Sequence, residues 1–144
     1  MKTRLMTASL LFISKNIKPF GTLLFLTLTI ASCTHKPDLQ GFPIEKWKAD
    51  KGGCKGERKT LLADFKKIRQ NLKGTSSNDF VDIFGRPDIN QIADRNQEYY
   101  VYFLEAGPHC EDITKKSEAA SVAIRFSSVG LAAEITFQNG TPVQ

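Results

Sequence analysis

The middle of the chain begins with apolar residues at helical spacing. From Glu57 onward they recur every three or four positions, at Leu61, Phe65, Ile68 and Leu72. Residues at this spacing share one side, so the pattern predicts an amphipathic helix that buries this side. The opposite side is mostly basic and comprises Lys59, Asp64, Lys66, Lys67, Arg69 and Lys73. It is either a solvated surface or a contact for a lipid headgroup or another anionic partner.

A second, shorter helix is predicted at residues 76–84. Ser76 is a favourable N-cap residue, and Asp79, three positions later, completes a capping box. Gly85 can adopt the left-handed conformation that ends a helix, and Pro87 cannot continue one. The apolar residues of this helix share one side that must be buried: Phe80, Ile83 and Phe84.

Three strands are predicted after a polar loop at residues 88–97. The first, residues 99–104, is apolar on both faces, which is typical of a strand covered on both sides. The next two, residues 122–126 and 131–137, alternate apolar and polar side chains around a turn and predict a β-hairpin. We therefore expect an α+β fold in which two N-terminal helices pack on a three-stranded antiparallel sheet (ααβββ).

Alternate residues of the first strand point to opposite faces of the sheet. We assign Val101 and Phe103 to the core. We assign Tyr100 and Tyr102 to a partner-facing surface, because a phenol hydroxyl can stay in water while its ring binds. A shift of one residue in register would reverse this assignment.

The first 32 residues have the layout of an export signal. They contain four basic residues and no acidic one, and their apolar run, residues 20–32, is shorter than the about 20 residues of a membrane span. Met1 and Met6 are both candidate starts. Without these residues the 144-residue chain keeps 112 residues, with 16 basic and 15 acidic side chains. The length fits one domain, and the near-neutral charge gives no reason to expect nucleic acid.

The signal ends in a sequence that resembles the bacterial lipobox, Ile30-Ala31-Ser32-Cys33. The resemblance implies cleavage before Cys33 and acylation of its thiol and amino group, and several acyl chains together make a stable membrane anchor. The alternative is an ordinary secretory signal with an incidental cysteine. The residue after the cysteine is Thr34. An Asp at this position favours retention in the inner membrane of enteric bacteria, so Thr34 favours the outer membrane.

Residues 33–50 contain prolines and mixed charges without periodicity, which is typical of an extended tether. The large apolar side chains of this segment either lie back on the domain, which we favour, or form a binding patch: Phe42, Ile44 and Trp47. The expected organisation is a signal peptide at 1–32, a lipidated tether at 33–50 and a folded domain at 51–144.

Two cysteines, Cys54 and Cys110, remain once Cys33 carries lipid. An even number of cysteines in an oxidising compartment normally pairs, so we expect a disulfide between them. In the chain-entropy model this bond contributes about 4 kcal/mol to stability. A metal site with His109 is an alternative, but two adjacent ligands and one distant cysteine do not have zinc-site spacing, so we expect no metal.

The segment around the second helix resembles the SmpA/OmlA (BamE-like) family of outer-membrane assembly lipoproteins. The matching residues are Gly74, Ser76, Asp79, Phe80, Phe84, Gly85 and Pro87, whereas Thr75 departs from the family's usual Met. The later Tyr100-Val101-Tyr102 resembles the aromatic strand of the family. Residues 35–41 resemble its segment after the lipid, which implies that Lys36, Pro37 and Asp38 contact lipid or protein partners.

The resemblance implies a non-enzymatic scaffold or accessory subunit in outer-membrane β-barrel assembly or envelope integrity, anchored in the bacterial outer membrane and facing the periplasm. Its expected partners are membrane lipid, through Cys33, and an envelope protein. We expect no cofactor, and we find no catalytic constellation around His35 or His109. The first alternative is a protein-binding module of the β-lactamase-inhibitor-like fold. The last is a small periplasmic hydrolase, which requires a pocket holding a nucleophile beside a base.

Overall fold

The computed structural model of the chain describes residues 36–93 and 97–142. The signal peptide and Cys33 lie outside these residues. Within them, no helix is long and apolar enough to cross a membrane.

The described chain runs through four short helices and then four strands. The helices are α1 (Ile44–Ala49), α2 (Glu57–Thr60), α3 (Leu62–Ile68) and α4 (Ser77–Phe84), with 3₁₀ turns at Lys51–Gly53 and Pro108–Cys110. The strands are β1 (Ile89–Ala93), β2 (Gln97–Phe103), β3 (Ala120–Phe126) and β4 (Ala132–Asn139). They form one antiparallel sheet in the order β1-β2-β3-β4. The predicted α+β class is confirmed, and the hairpin is β3 with β4.

The first predicted helix is present as two pieces, α2 and α3, with Leu61 between them. Leu61 has φ −86° and ψ −3°, so the regular helix is interrupted there without a reversal of the chain. The predicted apolar side is confirmed, because its four residues are all buried: Leu61, Phe65, Ile68 and Leu72. Regular helix ends at Ile68.

Helix α4 has both of its predicted ends. The Ser76 hydroxyl accepts a hydrogen bond from the Asp79 backbone N–H at 3.1 Å and donates one to the Asp79 carboxylate at 2.7 Å. Gly85 follows the helix with φ +81°, a conformation that a side chain would strain. Phe80 and Phe84 are completely buried. The prediction of this helix is confirmed.

The predicted loop at residues 88–97 is wrong, because its first part is the edge strand β1. Ile89 lies opposite Val101 and Ala93 lies opposite Gln97 in the β1–β2 ladder. An edge strand pairs on one side only, so it needs few apolar side chains, and Ile92 is 74% exposed. The polar composition that predicted a loop therefore belongs to a strand at the margin of the sheet.

The predicted tether is also wrong from residue 36 onward. Trp47 is completely buried and its ring stacks on Phe65 with centroids 4.8 Å apart. Phe42 and Pro37 are buried as well, and Ile44 is half-buried. The folded unit thus begins well before residue 51, because these large apolar side chains complete the core. The expectation that they lie back on the domain is confirmed.

The predicted facing of β2 is reversed. Tyr100 and Tyr102 lie on the helix side, where they contact Phe126 and Phe80 with ring centroids 4.6 and 6.3 Å apart. The Tyr102 hydroxyl donates to the Gly85 carbonyl at 2.9 Å, so this phenol needs no water. Val101 and Phe103 are buried on the opposite face. Both faces of β2 are covered, as its apolar pattern predicted.

Candidate functional site

An ion pair between Arg58 and Asp88 lies inside the domain, with side chains only 1% and 6% exposed. The guanidinium also donates to the carbonyls of Trp47 and Phe103, each at 3.2 Å. It lies 5.1 Å from the Trp47 ring centroid and 5.4 Å from that of Tyr102. Hydrogen bonds to both charges offset much of their desolvation.

The Asp88 carboxylate joins the glycine-rich turn at residues 51–56 to the sheet. One oxygen accepts from the Gly52 N–H at 2.9 Å, and the other accepts from the Phe103 N–H at 2.8 Å as well as from Arg58. Asp50 closes the same turn by accepting from the backbone N–H groups of Lys55 and Arg58. The network was not predictable from the sequence, because 30 residues separate Arg58 from Asp88 and each resembles an ordinary surface charge.

The predicted disulfide lies beside this network, because Cys54 belongs to the turn that Asp50 and Asp88 hold. Cys54 and Cys110 are bonded, with Cα atoms 5.8 Å apart, so the predicted pairing is confirmed. His109 lies beside them with its Nε2 3.7 Å from the Cys110 Sγ. The imidazole stacks on Phe103 with centroids 3.7 Å apart, and it is 4% exposed. The two cysteines are exposed, so the disulfide and a buried imidazole lie side by side next to the surface.

Both ring nitrogens of His109 have partners. Nδ1 lies 2.7 Å from the Ser117 hydroxyl, and Nε2 lies 2.8 Å from the Gly52 carbonyl, to which it donates. Ser117 beside His109 has the residue types of a nucleophile and its base. Ser117 is 5% exposed and does not line the cavity that opens beside the disulfide. Its hydroxyl is therefore not accessible to a substrate in this conformation.

A cavity of about 300 Å³ opens beside the disulfide. Its lining combines charged, apolar and sulfur-containing side chains: Lys51, Cys54, Arg86, Asp88, His109, Cys110 and Ile113. Asp88 is already engaged with Arg58, and the His109 ring forms one wall. The groups that line this cavity are thus a disulfide, an imidazole and charged side chains.

The predicted contact residues Lys36, Pro37 and Asp38 lie elsewhere. Lys36 and Asp38 are exposed, whereas Pro37 is buried. The Asp38 carbonyl accepts from the Asn71 side chain at 2.9 Å, which fixes this segment beside the turn after α3. Lys36 and Pro37 border a cavity of about 320 Å³ against α4, a cavity that Tyr100 and Tyr102 do not line. The structure thus places Lys36 and Pro37 at a different site from the two tyrosines.

The basic side of the first predicted helix remains accessible. Lys66 and Arg69 lie over the Phe137 ring, with their charged groups 5.1 and 5.8 Å from its centroid. Among the described residues, neither of them nor Lys73 forms a salt bridge. This surface therefore carries positive charge that no acidic side chain described here neutralises.

Comparison with known proteins finds no relative. No family model matches the chain, and neither the curated proteins nor the solved structures contain a match.

Proposed function

We propose that the protein is a non-enzymatic lipoprotein of the bacterial envelope, anchored through Cys33 in the outer membrane and facing the periplasm. The observation that carries the proposal is the lipobox-like sequence at residues 30–33, which directly precedes a folded domain. Lys36 follows Cys33 by three residues, a chain length of about 10 Å at most. An acyl anchor at Cys33 keeps the start of the domain at the membrane surface.

The role proposed for the domain is to bind another envelope protein as an accessory subunit of outer-membrane β-barrel assembly. This part rests on the resemblance of residues 74–87 to the SmpA/OmlA (BamE-like) family, including the helix capped by Ser76 and ended by Gly85. The family-like order of two helices and three strands is part of the same proposal, with α1 and β1 as additions to it.

The proposed contact surface does not include Tyr100 and Tyr102, since both rings are buried. Lys36 and Asp38 are exposed at the membrane-proximal start of the domain, where an anchored protein meets its neighbours. The basic surface formed by Lys66, Arg69 and Lys73 offers a second contact for an acidic partner.

The inhibitor-like alternative retains one supporting observation. The sheet face opposite the helices carries half-buried Tyr99, Arg125 and Thr136, a set that combines an aromatic ring with polar groups. A protein bound there would not need the lipid, so a Cys33→Ser variant without its acyl chains should still bind it.

The experiment is purification of the tagged full chain from native membranes, followed by identification of its partners. We expect components of the β-barrel assembly machinery with the parent chain and their loss with Lys36→Glu/Asp38→Lys. The control is Lys115→Glu, which reverses a charge on an exposed loop and should retain them. Absence of these components from the parent sample, or their equal recovery with all variants, would contradict the proposal.

A further inference from the structure

Three potential metal ligands converge beside the glycine-rich turn. The Sγ atoms of Cys54 and Cys110 and a ring nitrogen of His109 all lie within 4.8 Å of one another. A tetrahedral zinc ion with Zn–S bonds of about 2.3 Å and a Zn–N bond of about 2.0 Å holds its ligand atoms about 3.5 to 3.8 Å apart. The 3.7 Å between Cys110 Sγ and His109 Nε2 already has this spacing. For a metal ion to bind, the two sulfur atoms must separate and the Gly52 carbonyl must move away from Nε2.

The surroundings of His109 suit a ligand. Metal-bound histidines almost always engage the second ring nitrogen in a hydrogen bond, which fixes the tautomer and the orientation of the ring. Here Nδ1 lies 2.7 Å from the Ser117 hydroxyl, and Phe103 holds the ring by stacking. In this structure Nε2 carries the hydrogen and donates it to the Gly52 carbonyl. In the other tautomer the Nδ1–H group donates a hydrogen bond to the Ser117 hydroxyl oxygen, and Nε2 has a free lone pair for a metal ion.

The glycine-rich turn leaves room at this point. Gly52 has φ +71°, and a Cβ atom there would lie 2.9 Å from the Cys54 Sγ. The cavity of about 300 Å³ is lined by both cysteines and His109 and is open to solvent. Two thiolates, one imidazole and one water form the ligand set of an open zinc site.

We propose that Cys54, Cys110 and His109 form a redox-gated site for a thiophilic divalent metal ion of the Zn²⁺ class, which replaces the disulfide as the cross-link when the disulfide is reduced. A dithiol reductant transfers two electrons and two protons, yielding the Cys54 and Cys110 thiols and its own cyclic disulfide. The metal ion then binds the two thiolates, and two protons are released to water. In the reverse reaction, thiol–disulfide exchange with an oxidised dithiol re-forms the Cys54–Cys110 bond, reduces that disulfide to two thiols with the uptake of two protons, and expels the metal ion. The site is independent of the lipid and of the partner proposed above.

The test is metal titration of the purified chain, reduced with tris(carboxyethyl)phosphine and then freed of reductant without oxygen. We expect one Zn²⁺ per chain in the reduced protein and none in the oxidised protein. Co²⁺ should give the sulfur-to-metal charge-transfer band of thiolate ligation. Zn²⁺ should also raise the unfolding temperature of the reduced protein towards that of the oxidised one, because it closes the same loop.

Three variants separate the proposed site from chance binding. Cys54→Ser/Cys110→Ser should abolish the Co²⁺ charge-transfer band. His109→Gln should weaken Zn²⁺ binding, and Ser117→Ala should weaken it by about 10- to 100-fold while keeping the Co²⁺ spectrum, as expected of a residue that positions a ligand. Lys115→Ala, on the same loop, is the control and should bind as the parent does. Absence of stoichiometric Zn²⁺ binding to the reduced parent, or equal Zn²⁺ affinity of the parent and His109→Gln, would overturn the proposal. A reduced chain that unfolds and is not refolded by Zn²⁺ would overturn it as well.

Discussion

At the scale of single residues, Tyr102 decides which face of β2 belongs to the helices. Its ring is completely buried beside Trp47 and Phe80, and its hydroxyl bonds the carbonyl that follows α4. The alternation along β2 was predictable from the sequence, but its phase was not, because both faces are apolar. The phase depends on contacts between residues distant in sequence, such as the packing of the Tyr102 ring on Trp47 and its hydrogen bond to Gly85, 17 residues away along the chain.

Two substitutions at Tyr102 measure the ring and the hydroxyl separately. Tyr102→Ala should lower the free energy of unfolding by about 3–5 kcal/mol, because it leaves a cavity in the core. Tyr102→Phe keeps the ring and should cost only about 1 kcal/mol, the usual value of one hydrogen bond. Urea unfolding gives both values. A Tyr102→Ala variant as stable as the parent would show that this side chain lies at the surface and not in the core.

Alkaline pH provides an independent measure of the same burial. Desolvation by burial raises the pKa of Tyr102 well above its ordinary value of 10.0. The unfolded chain loses this proton near pH 10 and the native chain keeps it, so the stabilisation is complete below about pH 10 and is lost as the pH rises further. Above that pH the parent should lose about 1.4 kcal/mol per pH unit relative to Tyr102→Phe. Parallel stability curves from pH 8 to 11 would contradict this.

At the scale of elements, predictability follows local chemistry. Helix α4 was predicted with both ends, because its cap, its apolar side and its terminating glycine lie within ten residues. Strand β1 was missed, because an edge strand takes its hydrogen bonds from β2 and needs no apolar pattern of its own. Helix α1 was missed for a related reason. It is only six residues long and is held by the burial of Trp47 rather than by helix propensity.

The cap of α4 is open to a direct test. Ser76→Ala removes the hydroxyl that accepts from the Asp79 N–H and should lower the free energy of unfolding by about 1 kcal/mol. Ser128→Ala, at an exposed position in the β3–β4 turn, is the matched control and should change little. Chemical denaturation compares the two. Equal stability of both variants would show that the hydrogen bond contributes nothing to the helix.

At the scale of the whole molecule, contacts distant in sequence complete the domain. The sequence correctly indicated the disulfide and the α+β class, but it gave no sign of the Arg58–Asp88 ion pair. Nor did the sequence show that Cys54, Cys110 and His109 lie together. Their spacing along the chain differs from that of known zinc sites, and only the fold brings the three side chains close to one another. Local patterns predict which elements form, whereas packing decides where distant side chains meet.

The disulfide should contribute to global stability more than any single surface contact. Cys54→Ser/Cys110→Ser opens a loop whose ends lie 56 residues apart. The free energy of unfolding should fall by about 4 kcal/mol in the chain-entropy model. Urea unfolding in the presence of a chelator makes the measurement and keeps metal ions out of it. A variant as stable as the oxidised parent would mean that the bond does not constrain the fold.

The central claim is that Cys33 carries the lipid anchor, and the mass of the protein extracted from membranes of its native host measures this most directly. We predict a chain that begins at Cys33, with a mass raised by a diacylglyceryl group and an N-linked acyl chain. The Cys33→Ser precursor should keep residues 1–32 and gain no acyl mass. An unmodified chain cleaved elsewhere, or acyl chains retained by Cys33→Ser, would contradict the account.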